Sequence, residues 1–394
     1  MRASSAEAGV GRSTAPGAPT TAGRRRVPAW DALRVSIVAG VIVVHACVAL
    51  GATGEWVYRE EALSAPVARF LTVLVGILAL FGLGALFYIA GLLTPVALHR
   101  HGVAGFVGGR LLRLGVPLVL MLVLVRPLLN LLMAWADGRT PSVGEVWAEQ
   151  LRVLDTSGLW FVAVLLLYSL AYALLRLRDP GRAAPAALPA VSGLPGRVVA
   201  GLLVVVAIAT VLVRLRWPLA SNSVLDLHLW QWPQYVGMFA LGVWAAENRR
   251  TGPLSRSLRL RVGWVALSAA CALPAAALLG AADTDQGFYT GLGAGAWLMG
   301  AVDAGLGIGL SLWLVEVFRT HVLHATPLLT TLARCSLGAY VLQSVVLVPL
   351  ALLLSPLPLP GEAKLPLLVV GGLVGSFGLA YLLAVRLRLG GRFL

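Results

Sequence analysis

A histidine within an apolar run can exchange protons where few other side chains can, and this chain carries one. His45 lies inside the apolar stretch 35–50, with Arg34 eleven residues earlier and Asp31 three residues before that. Imidazole is the side chain whose ordinary pKa suits proton exchange near neutral pH. On an α-helix eleven residues turn by roughly 1100°, so Arg34 and His45 share a face. At about 1.5 Å per residue the imidazole lies roughly 16 Å beyond the guanidinium, near the middle of a ~30 Å hydrocarbon layer. An ionisable group at that depth is costly and marks function by default. The pattern reads as a buried base with a cation guarding its approach. The plainer reading is a core histidine bonded to a neighbouring helix. Asp31, one turn before Arg34, can pair with it as part of the site or as an interfacial ion pair.

The elements that would position these residues are membrane helices. The chain is 59% hydrophobic and only 12% charged, with a mean hydropathy of +0.86, which excludes an ordinary soluble protein. A net charge of +14 raises nucleic acid as a partner, but the basic residues are scattered among short loops, so no nucleic acid is expected. Apolar stretches predict about ten spans, near 35–52, 70–95, 114–135, 158–175, 198–213, 234–246, 262–281, 291–318, 335–355 and 365–385. The expected fold class is therefore all-α, a polytopic transmembrane bundle. The sixth span is short and the second and eighth are long, which predicts tilts, kinks or broken helices.

With the N-terminus inside, cytoplasmic segments collect 23 Lys and Arg against 7 on the other side, with Arg126 inside a span. That bias predicts both termini in the cytoplasm, and the expected location is the inner membrane of a bacterial cell. Acidic residues run the other way, with Glu55, Glu60, Glu61, Glu145, Glu149, Asp155, Asp283 and Asp285 outside. Residues 1–29 read as a disordered basic tail ending in Arg24-Arg25-Arg26, and 30–394 as one integral-membrane domain. A signal peptide is the competing reading of the first apolar run, but no small-residue cleavage site follows it. The Pro/Ala stretch 179–195 reads as a flexible loop. Cys47, Cys271 and Cys335 lie in or beside spans without disulfide or metal spacing, so no metal is expected.

Several short motifs occur in a telling order. Trp30-Asp31-Ala32-Leu33-Arg34 precedes the apolar run to Val44-His45-Ala46, and Phe87-Tyr88-Ile89-Ala90-Gly91 follows. Then come Gly109-Arg110-Leu111-Leu112-Arg113-Leu114 with Val116-Pro117, Leu159-Trp160-Phe161, and Ser336-Leu337-Gly338-Ala339-Tyr340. Together, over about 30–390, they resemble acyltransferase family 3, polytopic membrane enzymes that move acyl groups onto sugars and other acceptors. Many relatives carry a histidine three residues after the late tyrosine, where this chain has Gln343. Glutamine hydrogen-bonds but cannot titrate. The stretch 94–102 and the turn Gly54-Glu55-Trp56 resemble a branch that includes glucan-modifying members.

The resemblance implies an O-acyltransferase in which His45 is the general base. It also implies acyl-CoA as co-substrate, with no tightly bound cofactor, and a hydroxyl-bearing acceptor such as a carbohydrate or glycolipid. Coenzyme A is polyanionic, so its binding face should be basic; Arg110 and Arg113, one turn apart, would meet its phosphates unless they are simple anchors. His99 and His101, in the same loop, read as solvated surface. Gly102, Gly105, Gly108 and Gly109 follow no strand, so a nucleotide-fold reading fails.

Asp303, near the centre of the eighth span, could orient His45, stabilise a cation or serve the substrate. Glu316 lies nearer that span's cytoplasmic end. Arg126, followed by Pro127, could hold the acceptor or stabilise the developing thioester oxyanion, or snorkel outward. Trp160 could line a substrate cavity or belong to the interfacial belt. Trp217, Trp230, Trp232 and His228 share one outside loop, either as sugar-binding faces or as belt aromatics. A secondary transporter with a buried His/Asp ion site is the rival class, and a non-catalytic scaffold the third.

Overall fold

The computed structural model describes residues 27–154, 156–179, 192–219, 221, 224–281 and 289–386. The expected tail up to residue 26, the core of the Pro/Ala loop, Asp155, Asp283 and Asp285 lie outside the described residues. The described chain is helical, with no β-strand element.

Helix α1 (Pro28–Ala49) opens with Pro28 in its first turn and Asp31 at its positive end, both favourable at a helix start. Helix α2 (Ala65–Arg110) breaks at Gly102, where φ is +65° and ψ 173°, a backbone region open mainly to glycine. Helices α3 (Val116–Leu120) and α4 (Arg126–Ala136) follow, joined by π turns at Leu111–Gly115 and Met121–Val125. Helix α5 (Val143–Val153) is a short amphipathic piece started by a reciprocal Ser142–Glu145 cap. After it run α6 (Trp160–Arg178), α7 (Gly196–Arg214), α8 (Trp232–Glu247) and α9 (Arg256–Ala281). Helices α10 (Ala294–Ala304) and α11 (Ser311–His321) form one rod interrupted by a π turn at Gly305–Leu310. Helix α12 (Pro327–Leu354) starts where the Thr326 hydroxyl accepts the Leu329 N–H at 3.1 Å. Helix α13 (Gly361–Tyr381) completes the bundle.

Among the described residues, eight helical stretches are long and apolar enough to cross a membrane. One of them, Ala65–Ala136, has 72 residues, far more than a single ~30 Å crossing needs at about 1.5 Å per residue. The Gly102 break divides it into the expected second and third spans. Helix α8, with 16 residues, is the short sixth. The expected eighth span is the α10–α11 rod, interrupted where a break was predicted. The protein is thus an integral-membrane helical bundle whose eight qualifying stretches, among the described residues, are approximately consistent with the ten or so expected spans.

Its centre is set by a close crossing of α2 and α8. A Cβ added to Gly242 would meet Leu92 N at 2.8 Å and Gly91 Cα at 3.0 Å, so the two helices touch backbone to backbone, a packing that small residues permit. That is a physical reason for the glycine ending the Phe87–Gly91 motif. Beside the crossing, Phe87 is fully buried against Phe161, Tyr168 and Tyr235, with ring centroids 4.8, 5.5 and 4.9 Å away. This aromatic block forms the floor beneath the site described next.

Candidate active site

Helix alternation gathers the end of α1, the starts of α6 and α8, and the second half of α12 at one end of the bundle, here the far end. His45 sits four residues before the end of α1. Helix α1 begins at Pro28, seven residues before the apolar run, so His45 stands past the helix midpoint, which falls near residue 38. His45 is half-buried.

Three residues surround it. Its Nδ1 lies 3.0 Å from Oε1 of Gln343, a buried residue of α12. Its ring stacks on Trp56, from the loop between α1 and α2, with centroids 3.8 Å apart and planes 15° apart. Gly158, in the 3₁₀ turn before α6, closes the third side. A Cβ there would meet Trp56 Cζ3 at 2.9 Å and His45 Cε1 at 3.5 Å, so only glycine leaves the stack undisturbed. The Tyr340 hydroxyl donates to the Gly158 carbonyl, pinning this turn to α12 one turn before Gln343.

The contact favours one tautomer. A carbonyl oxygen only accepts, so with Oε1 facing the ring Nδ1 carries the proton and Nε2 keeps its lone pair. Among the described residues Nε2 has no hydrogen-bond partner, and neither has the buried amide nitrogen of Gln343. The unspent amide nitrogen of Gln343 and the Cε1 edge of the His45 ring both border Gly158, at 3.7 and 3.5 Å from where its Cβ would stand. An acceptor and a donor of these kinds suit taking a proton and stabilising an anion.

Trp160 opens α6 beside this cluster, 4.7 Å from the ring of His228 and 5.5 Å from Tyr235. His228 bonds through Nε2 to Glu55 Oε2 at 2.9 Å and through Nδ1 to the Asp226 carbonyl at 3.1 Å. Burial would depress its pKa, but the Glu55 hydrogen bond and the charges of Asp226 and Glu55 outweigh that and hold it above the ordinary 6.5. Ligand-type atoms of Glu55, Asp226 and His228 lie within 4.8 Å of one another, a grouping the sequence reading did not anticipate.

The other expected residues are dispersed. Asp31 and Arg34 pair at 3.7 Å at the opening of α1, eleven residues below His45 on the same helix. Arg110 is half-buried, donates to Thr94 Oγ1 at 3.4 Å and lies 5.2 Å from the Phe106 ring, whereas Arg113 is exposed. Arg113 lies in the π turn that begins at Leu111, close enough for its charge to act on Arg110. His99 and His101 are exposed. Arg126 starts α4, a helix that packs on α12.

Asp303 is bonded by Arg214 of α7 in a buried ion pair, and no bond joins it to His45 among the described residues. The orienting part considered for it belongs to Gln343 instead. Glu316 pairs with Arg319 at 3.3 Å and accepts the Leu254 N–H at 3.1 Å, holding a loop. The loop tryptophans form no single platform. Trp230 is buried under Arg214, with the guanidinium 5.5 Å from the ring centroid, Trp232 meets Tyr168 edge-on at 5.7 Å, and Trp217 lies under Arg216. Cys47 packs with Leu71 and Val75 away from the imidazole.

Sequence reasoning missed Trp56 and Gly158 as neighbours of His45, and Arg214 as the partner of Asp303. The last had a signal: a lone carboxylate inside an apolar helix requires a counter-charge.

Residues 27–385, nearly the whole chain, match a family of acyltransferase domains. The chain belongs to acyltransferase family 3 and is a membrane acyltransferase. No curated protein and no solved structure matches it.

Proposed function

We propose that this protein is an O-acyltransferase that carries an acyl group from cytoplasmic acyl-CoA to a hydroxyl of a sugar, glycan or similar acceptor, with His45 as general base. The observation that carries this reading is the 3.0 Å contact between His45 Nδ1 and Gln343 Oε1, which leaves Nε2 as the acceptor. In the reaction the acceptor oxygen bonds to the thioester carbonyl carbon while its proton passes to Nε2. The C–S bond then breaks, and coenzyme A leaves as a thiolate that takes up that proton. The free amide N–H of Gln343 suits the developing oxyanion. A base in this position contributes about 10²–10⁴-fold.

The loop charge bias supports a cytoplasmic near end, where Arg113 and the exposed part of Arg110 face the phosphates of the donor. Asp31–Arg34 stands at that entrance, and Trp160 and Arg126 belong with acceptor or acyl binding. The far end, with its Trp56 and Trp160 rings, then faces the acceptor. The transporter alternative rested on Asp303, whose charge is matched by Arg214.

The test is free-thiol release from a panel of acyl-CoAs by the detergent-purified chain, comparing wild type with His45→Ala and Arg113→Ala. Acceptor-dependent release that vanishes in folded His45→Ala and weakens through KM in Arg113→Ala is the expected result. Wild-type protein that neither binds nor consumes any acyl-CoA across a broad acceptor panel overturns the reading.

A further inference from the structure

We propose that the His228–Glu55 ion pair is a latch that holds Trp56 against His45 and makes His228 a positioning residue for the base. This rests on His45 being that base. The loop between α1 and α2 is anchored unevenly. Its later half is tied by Glu60 N–H to the Ala49 carbonyl at 2.8 Å, by Lys364 to Glu60 at 3.2 Å, and by Ser64 N–H to Glu362 at 3.0 Å. Among the described residues its tip, which carries Trp56, is tied by Thr53 N–H to Thr72 Oγ1 at 2.9 Å, by the ion pair of Glu55 with His228, and by packing of Trp56 on the core. Glu55 is the residue next to Trp56, so what fixes the carboxylate fixes the indole.

The geometry of His228 requires a cation. Nε2 faces a carboxylate oxygen at 2.9 Å and Nδ1 a carbonyl oxygen at 3.1 Å, and both oxygens can only accept. Both nitrogens therefore carry hydrogens, which is imidazolium. Its backbone is held at φ +50°, with Leu225 and Asp226 at +58° and +52°. Non-glycine residues stay in that region only where their surroundings over-determine it. Here Thr156 Oγ1 donates to the Leu225 carbonyl at 3.1 Å, Trp232 Nε1 donates to the Leu227 carbonyl at 2.8 Å, and the Trp160 ring packs on His228. A loop held this firmly aims the imidazolium at Glu55.

The charged and titratable groups around it are Glu55 from the α1–α2 loop, Asp226 from its own loop, His45 from α1 and, behind Trp230, Arg214 from α7. The carboxylates raise the pKa of His228 above its unfolded value near 6.5. The ion pair is therefore fully present below that value and is lost as pH rises through the folded pKa. Proton removal by His45 needs the opposite condition, a neutral ring, so the two histidines set opposite limbs of one pH profile.

The test reads His45 directly, by the rate at which diethylpyrocarbonate modifies it in the full chain, resolved by mass spectrometry of its peptide. At one pH, His228→Gln and Glu55→Gln are expected to raise that rate several-fold, while His228→Arg keeps the protection and extends it to higher pH. In the thiol-release assay, His228→Gln is expected to lower kcat on the order of tenfold with the KM for acyl-CoA unchanged. His228→Arg should remove the alkaline limb. Equal labelling of His45 in wild type, His228→Gln and Glu55→Gln overturns the latch. So does activity that a chelator abolishes and a divalent cation restores, which would give Glu55, Asp226 and His228 to a metal. Protection of His45 by the latch in a protein that transfers no acyl group would sink the proposed reaction and leave the latch standing.

Discussion

Two lone ionisable side chains, His45 in α1 and Asp303 in α10, look alike in sequence: each interrupts an apolar helix. Their surroundings differ in kind. Asp303 meets a full counter-charge, Arg214, both residues being 3% exposed or less. His45 meets a neutral amide, an indole face and a glycine, and stays half-open. A charge matched by a charge has its capacity committed to holding helices together, and breaking such a pair leaves an uncompensated ion. A neutral ring held through one nitrogen keeps the other nitrogen for chemistry. The two groups differ in the charge of the partner: Asp303 faces an opposite charge, although its Oδ1 and the Nε and Nη1 of Arg214 make no hydrogen bond among the described residues, whereas His45 faces a neutral amide.

The sharpest way to break that comparison is to remove both groups in turn. His45→Ala is expected to lower kcat by about 10²–10⁴-fold with little change in thermal stability; a comparable stability loss would make His45 a core histidine. Asp303→Leu should do the reverse first, costing about 3–5 kcal/mol by stranding Arg214. The double variant Asp303→Leu with Arg214→Met should recover most of that in a thermal unfolding measurement. Failure of the second substitution to rescue the first would show that Asp303 does more than pair.

Two smaller effects refine the His45 side. Gln343→Leu keeps the volume near Nδ1 but removes the acceptor that selects the tautomer, and should lower kcat roughly 10²-fold. Its pH profile should broaden as the ring loses its fixed orientation. An unchanged rate would remove Gln343 from the mechanism. Gly158→Ala pushes a methyl to within 2.9 Å of Trp56, and a several-fold loss of kcat is expected with acyl-CoA binding retained. Full activity in Gly158→Ala would mean that the stack on His45 tolerates displacement.

Much of this was legible in the chain before folding. The spans, their approximate ends and the irregular second and eighth follow from runs of apolar residues, because a bilayer demands continuous helix of a set length. Gln343 stood out as a departure beside Tyr340, and Glu55-Trp56 as part of a motif-like turn. Their association with His45 was not visible, since Gln343 lies 298 positions away and hydrophobic patterning carries no register between helices. The start of α1 was not marked by hydropathy: Pro28 and Asp31 open it before the apolar run begins, which puts His45 past the middle of its helix. Arg214 went unremarked because it ends its helix, where positive charge is ordinary.

What the sequence determined alone is therefore one-dimensional: which segments enter the membrane, which way their charges bias them, and that an imidazole sits among apolar residues near an Arg–Asp pair. Helix length and hydration cost act on each segment separately, so they can be read segment by segment. Which ionisable group is neutralised, which tautomer His45 adopts and which indole covers it depend on atoms brought within about 4 Å from distant parts of the chain. Those choices belong to the packing of α1, α6 and α12 around one glycine turn, and only the tertiary structure makes them.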